Sequence, residues 1–276
     1  SAISILFPLI RGLSWHSIRP SITLWHFSTS SMPNLAQNHR RLLNALSACA
    51  GQSGHAVRLL AVSKTQPAER VAECARLGQK AFGENYVQEA LGKITALREL
   101  ALEWHLIGPL QSNKCQMAAE HFDWIQTIDR EKIIKALDQH RPQALPPLNV
   151  LIQVNIDAEP GKSGCLPSHI KALALHIAAS RRLRLRGLMA IPDPATSING
   201  RAFARMQKLF SQLRENHPGA DTLSMGMSDD FPVAIAHGAN LVRVGSALFG
   251  PRPPRQAIAR PPPSHSSAAA TWPAPS

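Results

Sequence analysis

The stretch VRLLAVSK, residues 57 to 64, carries apolar side chains at five of its first six positions and ends on Lys64. Three residues further on, Pro67 opens PAERVAECARLG, which closes at Gly78. A near-continuous apolar run of this length suits a parallel strand covered on both faces. Proline in a first turn and glycine past the last one mark the limits of a helix. The stretch therefore reads as a β-strand feeding an α-helix. Seven further runs repeat the pattern: KAFGE (80–84), EWHLIG (103–108), DWIQTI (123–128), NVLIQVNI (149–156), LRLRGLMA (183–190), TLSMG (222–226) and NLVRVG (240–245), each followed by a helical stretch. Ahead of them, Leu42, Leu43 and Leu46 recur at helical spacing within Leu35 to Ala50 and predict an extra N-terminal helix. Eight βα units in roughly 220 residues predict an α/β fold, a single (β/α)8 TIM barrel. The alternative, a doubly wound open sheet, lacks its GxGxxG after the first strand.

The chain has 276 residues, 44% of them hydrophobic, enough to bury a large core and to exclude a disordered protein. Its net charge of +12 suggests a nucleic-acid or membrane-surface binder, but five arginines of the acid-free ends carry part of it. With aromatic content at 5%, stacking platforms for single-stranded nucleic acid are few. No apolar run reaches the eighteen or so residues of a membrane span. The four cysteines, at 49, 74, 115 and 165, form no CxxC pair and no zinc-ligand cluster, and read as reduced thiols of a cytoplasmic protein. Residues 1–31 are Ser-rich and acid-free, either a presequence or upstream read-through before Met32. Residues 32–250 form the predicted domain. Residues 251–276 hold 8 of the 22 prolines and are expected to be a disordered Pro/Ala/Ser-rich tail.

Barrel sites collect at the carboxyl ends of the strands. Lys64 stands at the end of the first, where partial desolvation lowers an ammonium pKa and favours a Schiff-base nucleophile. Strands seven and eight end in SMGMSDD (224–230) and RVGSALFG (243–250), small-residue loops that let backbone N–H groups approach an anion. Taken singly, these glycines serve tight turns and Ser228 and Asp229 cap a helix. An amine and a phosphate cradle in one barrel mouth together describe a site for a phosphorylated aldehyde such as pyridoxal 5'-phosphate. GKS at 161–163 ends like a P-loop but lacks its first glycine. None of the twelve histidines forms HExxH, and His105 beside Trp104 reads as a packed barrel residue. Arg181, Arg182, Arg184 and Arg186 are expected on one solvated or helix-covered face.

The segments LLAVSKTQP, FGENYVQEA, WHLIGPLQSNK, FDWIQTIDR, LPPLNVLIQVNI, LRGLMAIP and DTLSMGMSDDFPVAIAHGANLVRVGSALFG, in this order over about 35–250, resemble the pyridoxal phosphate homeostasis proteins. The resemblance implies a barrel of the alanine racemase N-terminal-domain type, related also to fold-type III decarboxylases. It implies a protein that holds or buffers pyridoxal phosphate for vitamin B6 homeostasis, without enzymatic turnover and without a metal. Lys64 would form the internal aldimine. Ser228, Gly245 and Ser246 would hold the phosphate, Arg243 would face the pyridine nitrogen, and Asn85 and Met189 would line the ring. The implied partners are the cofactor and apo-enzymes that use it, with no nucleic acid and no membrane; a monomer or weak dimer is expected. The alternative is an amino-acid racemase or decarboxylase on the same barrel. Such enzymes complete their site with a β-domain and a partner subunit, and the ordered part of this chain is expected to end near Gly250.

Overall fold

The computed structural model describes residues 34–250, so the expectations for 1–31 and 251–276 lie outside the described residues. Eight parallel strands close into a barrel in chain order: β1 (Arg58–Val62), β2 (Ala81–Glu84), β3 (Glu103–Leu106), β4 (Trp124–Ile128), β5 (Leu148–Val154), β6 (Leu183–Ala190), β7 (Thr222–Ser224) and β8 (Leu241–Val244). Closure is made by β1 on β8, with Leu60 opposite Arg243 and Ala61 opposite Val244. All eight predicted strands are present, most of them shorter by one or two residues because pairing stops at the strand ends where the chain enters or leaves the loops.

Helices α1 (Leu35–Ser53), α2 (Ala68–Arg76), α3 (Val87–Ala96), α4 (Cys115–His121), α5 (Glu131–His140), α6 (Ile170–Ala179), α7 (Pro194–Ile198), α8 (Arg201–Asn216), α9 (Phe231–Ala236) and α10 (Ser246–Phe249) surround the barrel. Helix α7, opened by Pro194 behind the Asp193 cap, precedes the α8 that follows β6. The strand residues facing the helices join the inward faces of the helices in one continuous apolar layer, from Leu59, Ala61 and Phe82 to Phe203 and Phe249. After β8 only the four-residue α10 follows among the described residues. The extra helix α1 supplies cover there: it packs on α9 and α10, and Asn38 Nδ2 donates to the Leu248 carbonyl at 3.0 Å.

The barrel interior is filled differently. Leu60, Ala81 and Leu241 form one small apolar group and Trp124, Leu151 and Met189 another. The polar His105, Gln126, Ser224 and Arg243 are buried as well. At the amino-terminal end, His105 stacks on Trp124 with ring centroids 5.1 Å apart, as the reading of His105 as a packed residue requires. The arginine row departs from expectation at one residue. Register shifts between Val150 and Leu151 as they pair with Leu185 and Gly187, leaving Arg186 as the extra residue of a bulge. Its guanidinium turns over the Trp124 ring, 4.8 Å from the centroid, and bonds Asp221 and Asn149.

Candidate functional site

At the carboxyl end of the barrel, side chains alternate inward and outward along each strand. Leu60 faces the interior, so Val62 and then Lys64 continue that parity, and the half-buried Lys64 stands at the rim where β1 becomes a turn. Thr65, immediately after it, has φ 66°, a conformation that β-branched residues rarely adopt. The turn is clamped on both flanks by one charge cluster. Lys93 Nζ, on α3, donates to the Ser63 carbonyl and to Glu84 Oε1, each at 2.8 Å, and to Glu89 Oε1 at 2.9 Å. Ser63 Oγ donates to Glu84 at 2.6 Å, and the Thr65 N–H donates to Glu89 at 2.6 Å. Burial raises the Glu84 carboxyl above the usual carboxylate range despite Lys93 and Ser63. A strained turn persists only where its surroundings over-determine it, and these bonds do so on either side of Lys64.

Beside Lys64 across the β1–β8 seam lies the second predicted element. A Cβ on Gly245 would stand 3.2 Å from the Val62 carbonyl oxygen, so this close approach of β8 to β1 suits glycine. Ser246 then begins α10, whose first N–H groups have no acceptor within the helix. After β7, Gly226 takes φ +93° and an added Cβ would meet Ala234 Cβ at 2.7 Å, so the SMGMS turn tolerates only glycine there. That turn brings Ser228 Oγ to 3.4 Å from Ser246 Oγ. Two hydroxyls that are 18 residues apart in sequence thus share one rim position. Asp230 does not face them: it is buried and accepts from the Met227 N–H at 2.7 Å. Asp229 is exposed.

Beneath this rim lies Arg243, 3% exposed. Its Nη1 donates to Ser224 Oγ and its Nη2 to the Ala190 carbonyl, both at 2.8 Å. Burial lowers the guanidinium pKa to about 10, with Asp230 opposing the shift, so it remains cationic at neutral pH. Asn85 follows β2 at the mouth and is half-buried. Met189, one residue before the end of β6, is fully buried and packed on Trp124 and Leu151, its strand position pointing into the filled interior. It belongs to the floor below the mouth. Among the described residues there is no cluster of His, Cys, Asp or Glu suited to a metal.

The sequence reading missed Glu84, Glu89 and Lys93. A signal was available, since Lys93 follows Val87 and Ala90 at three-residue spacing on the buried side of α3. It also missed that Gln126 and Ser224 line up with Arg243, which no local pattern announces.

A parallel eight-stranded barrel with a lysine ending β1 and small-residue loops after β7 and β8 defines a class, and residues 31–253 match the family described as "Alanine racemase, N-terminal domain". Within it the chain belongs to the pyridoxal phosphate homeostasis family. It is 51% identical to the pyridoxal phosphate homeostasis protein of Pseudomonas aeruginosa, over 79% of this chain and 94% of that protein. The same identity holds to the protein of that name from Escherichia coli K12, over 79% and 95%. Among solved structures, PipY of Synechococcus elongatus PCC7942 with PLP bound is similar at a TM-score of 0.69. It is 35% identical, over 79% of this chain and all of that one.

Proposed function

We propose that this protein binds pyridoxal 5'-phosphate at the carboxyl mouth of the barrel and serves its homeostasis, holding the reactive aldehyde without turning it over. The observation that carries the reading is the donor set of one mouth. It combines the Lys64 amine on a clamped turn, two serine hydroxyls 3.4 Å apart beside a helix start, and a buried arginine beneath them. This set fits the group: it offers a nucleophile for an aldehyde, donors for a phosphate, and a cation for a pyridine nitrogen. The bound cofactor supplies an aldehyde and an electron-accepting ring.

In this reading Lys64 would hold the group at its aldehyde, its side-chain amine being the nucleophile that the mouth offers. Ser228, Ser246 and the backbone at Gly245 bind the phosphate through charge-assisted hydrogen bonds. Arg243, cationic at neutral pH, would hold a donor toward the ring nitrogen. An arginine there would keep that nitrogen unprotonated and so favour storage over carbanion chemistry. Asn85 borders the ring and Met189 forms the floor below it. The reading extends to release of the cofactor to apo-enzymes and to a cytoplasmic setting; the second is supported by four free cysteines, three of them buried. Equilibrium titration tests it: one pyridoxal phosphate per chain is expected, with affinity falling in Lys64→Ala. Absence of saturable binding by the intact chain would refute it.

A further inference from the structure

Three buried polar side chains that the proposed cofactor site does not use, Ser224, Gln126 and His105, run in single file through the barrel interior and end on the partly exposed Glu103. From Arg243 the file continues by the 2.8 Å bond of Nη1 to Ser224 Oγ. Ser224 Oγ donates to Gln126 Oε1 at 2.7 Å, and Gln126 Nε2 lies 2.9 Å from His105 Nδ1. His105 Nε2 lies 2.7 Å from Glu103 Oε1, which also accepts from Arg58. Ser224, Gln126 and His105 are fully buried. Glu103 and Arg58 are the first residues of β3 and β1, so the file starts at the cofactor mouth and ends on the opposite face of the barrel.

With the His105 ring neutral, the direction of every bond follows. The Glu103 carboxylate only accepts, so His105 must carry a proton on Nε2. Burial lowers the His105 pKa against the pull of Glu103, and a neutral ring with Nε2–H has an unprotonated Nδ1. Gln126 must then donate to it from Nε2, which turns Oε1 toward Ser224. The single Ser224 proton is spent on that oxygen, so Ser224 accepts from Arg243, a group that only donates. Glu103 itself is desolvated, which alone would raise its pKa. The hydrogen bonds from His105 and Arg58, with the Arg58 charge, oppose this and hold it below the usual carboxylate range. The file is thus one uninterrupted series of donors running from a cation to a permanent anion, and bonds in such chains polarise one another.

We propose that Ser224, Gln126, His105 and Glu103 are positioning residues for Arg243, fixing its guanidinium in one orientation and tying its donor strength at the cofactor ring to a carboxylate on the far face of the barrel. The proposal rests on the reading of Arg243 as the partner of the ring nitrogen. A perturbation on the amino-terminal face should therefore be felt at the carboxyl-terminal mouth, with no residue in between changing place.

Two measurements test it. In the wild-type protein stripped of cofactor, nitrogen-15 NMR of the His105 ring should show a neutral Nε2–H tautomer. A cationic ring or an Nδ1–H tautomer would overturn the directed file without any substitution. In the loaded protein, Glu103→Gln keeps a carbonyl acceptor for His105 and removes the charge at a partly exposed site. It should move the visible absorption band of the bound cofactor and weaken its binding about five- to tenfold, at the low end of couplings between separate sites. Gln126→Met, which interrupts the file, should shift the band in the same direction, and Ser224→Thr should shift it less than Ser224→Ala. Arg243→Met separates the two claims. If it leaves spectrum and affinity unchanged, the assignment of Arg243 fails. If it changes both while Glu103→Gln and Gln126→Met change neither, the assignment stands and the positioning file is refuted.

Discussion

Replacing both rim serines by alanine removes the donors that the proposed site offers to a phosphate while leaving the lysine and the arginine in place. Ser228 and Ser246 approach each other to 3.4 Å at the ends of β7 and β8, a spacing at which both can reach one phosphate group. Hydrogen bonds to a charged acceptor contribute about 1.5–3 kcal/mol each. Ser246 is exposed and Ser228 half-buried, so the low end applies, and two bonds give about 3 kcal/mol, or roughly a hundredfold in Kd. The backbone donors near Gly245 are untouched, so binding should weaken and not vanish. The assay is fluorescence or absorbance titration of wild type and Ser228→Ala/Ser246→Ala with pyridoxal phosphate and, in parallel, with pyridoxal. Affinity for the phosphorylated ligand should fall about a hundredfold, while pyridoxal binds the two proteins equally. An unchanged affinity for pyridoxal phosphate would remove the serines from the site. An equal loss for both ligands would mean that the substitutions disturbed the mouth as a whole.

Three further outcomes follow from the same geometry. Lys93→Met leaves Glu84 buried without its cation and should cost about 3–5 kcal/mol in urea unfolding, with Lys93→Met/Glu84→Leu recovering part of it; strictly additive losses would show that the pair is not coupled. His105 is held neutral by burial, with its folded pKa below the ordinary histidine value, so its contribution to stability is complete above about pH 6.5 and is lost as the pH falls below it. Glu103, held at about 2, stays ionised throughout this window, so wild type should lose more stability between pH 7 and 5.5 than His105→Gln does, and equal losses would contradict the assignment. Incubated in deuterated water with single-enantiomer alanine, serine or lysine, the loaded protein should show no multiple-turnover inversion. Racemisation needs a base on each side of the ring, and the one tyrosine of the chain, Tyr86, is 63% exposed; sustained inversion that disappears in Lys64→Ala would reinstate the racemase reading.

The barrel was legible because parallel strands buried on both faces must be nearly continuous apolar runs, and VRLLAVS and NVLIQVNI are such runs. Lys64 and the serine loops were legible because barrel chemistry gathers at strand ends, a place the strand assignments locate. Other features depend on contacts distant in sequence. The buried place of Lys93 is set by carboxylates on two elements, β2 and α3. The turn of Arg186 onto Trp124 follows from a bulge that exists only once β5 and β6 pair. That Met189 packs on Trp124 and Leu151 likewise depends on three strands coming together. His105, Gln126, Ser224 and Arg243 are each an ordinary polar residue in a strand, and closure of the barrel alone turns them into a file.

The central claim is that Lys64 is the amine that holds the cofactor. Intact-mass spectrometry of the protein saturated with pyridoxal phosphate, with and without borohydride, followed by proteolytic mapping, tests it most directly. The account predicts that reduction fixes one pyridoxal phosphate per chain on the peptide containing Lys64, and that Lys64→Ala abolishes the adduct while some noncovalent binding persists. A full adduct in Lys64→Ala, mapped to another lysine, would contradict it.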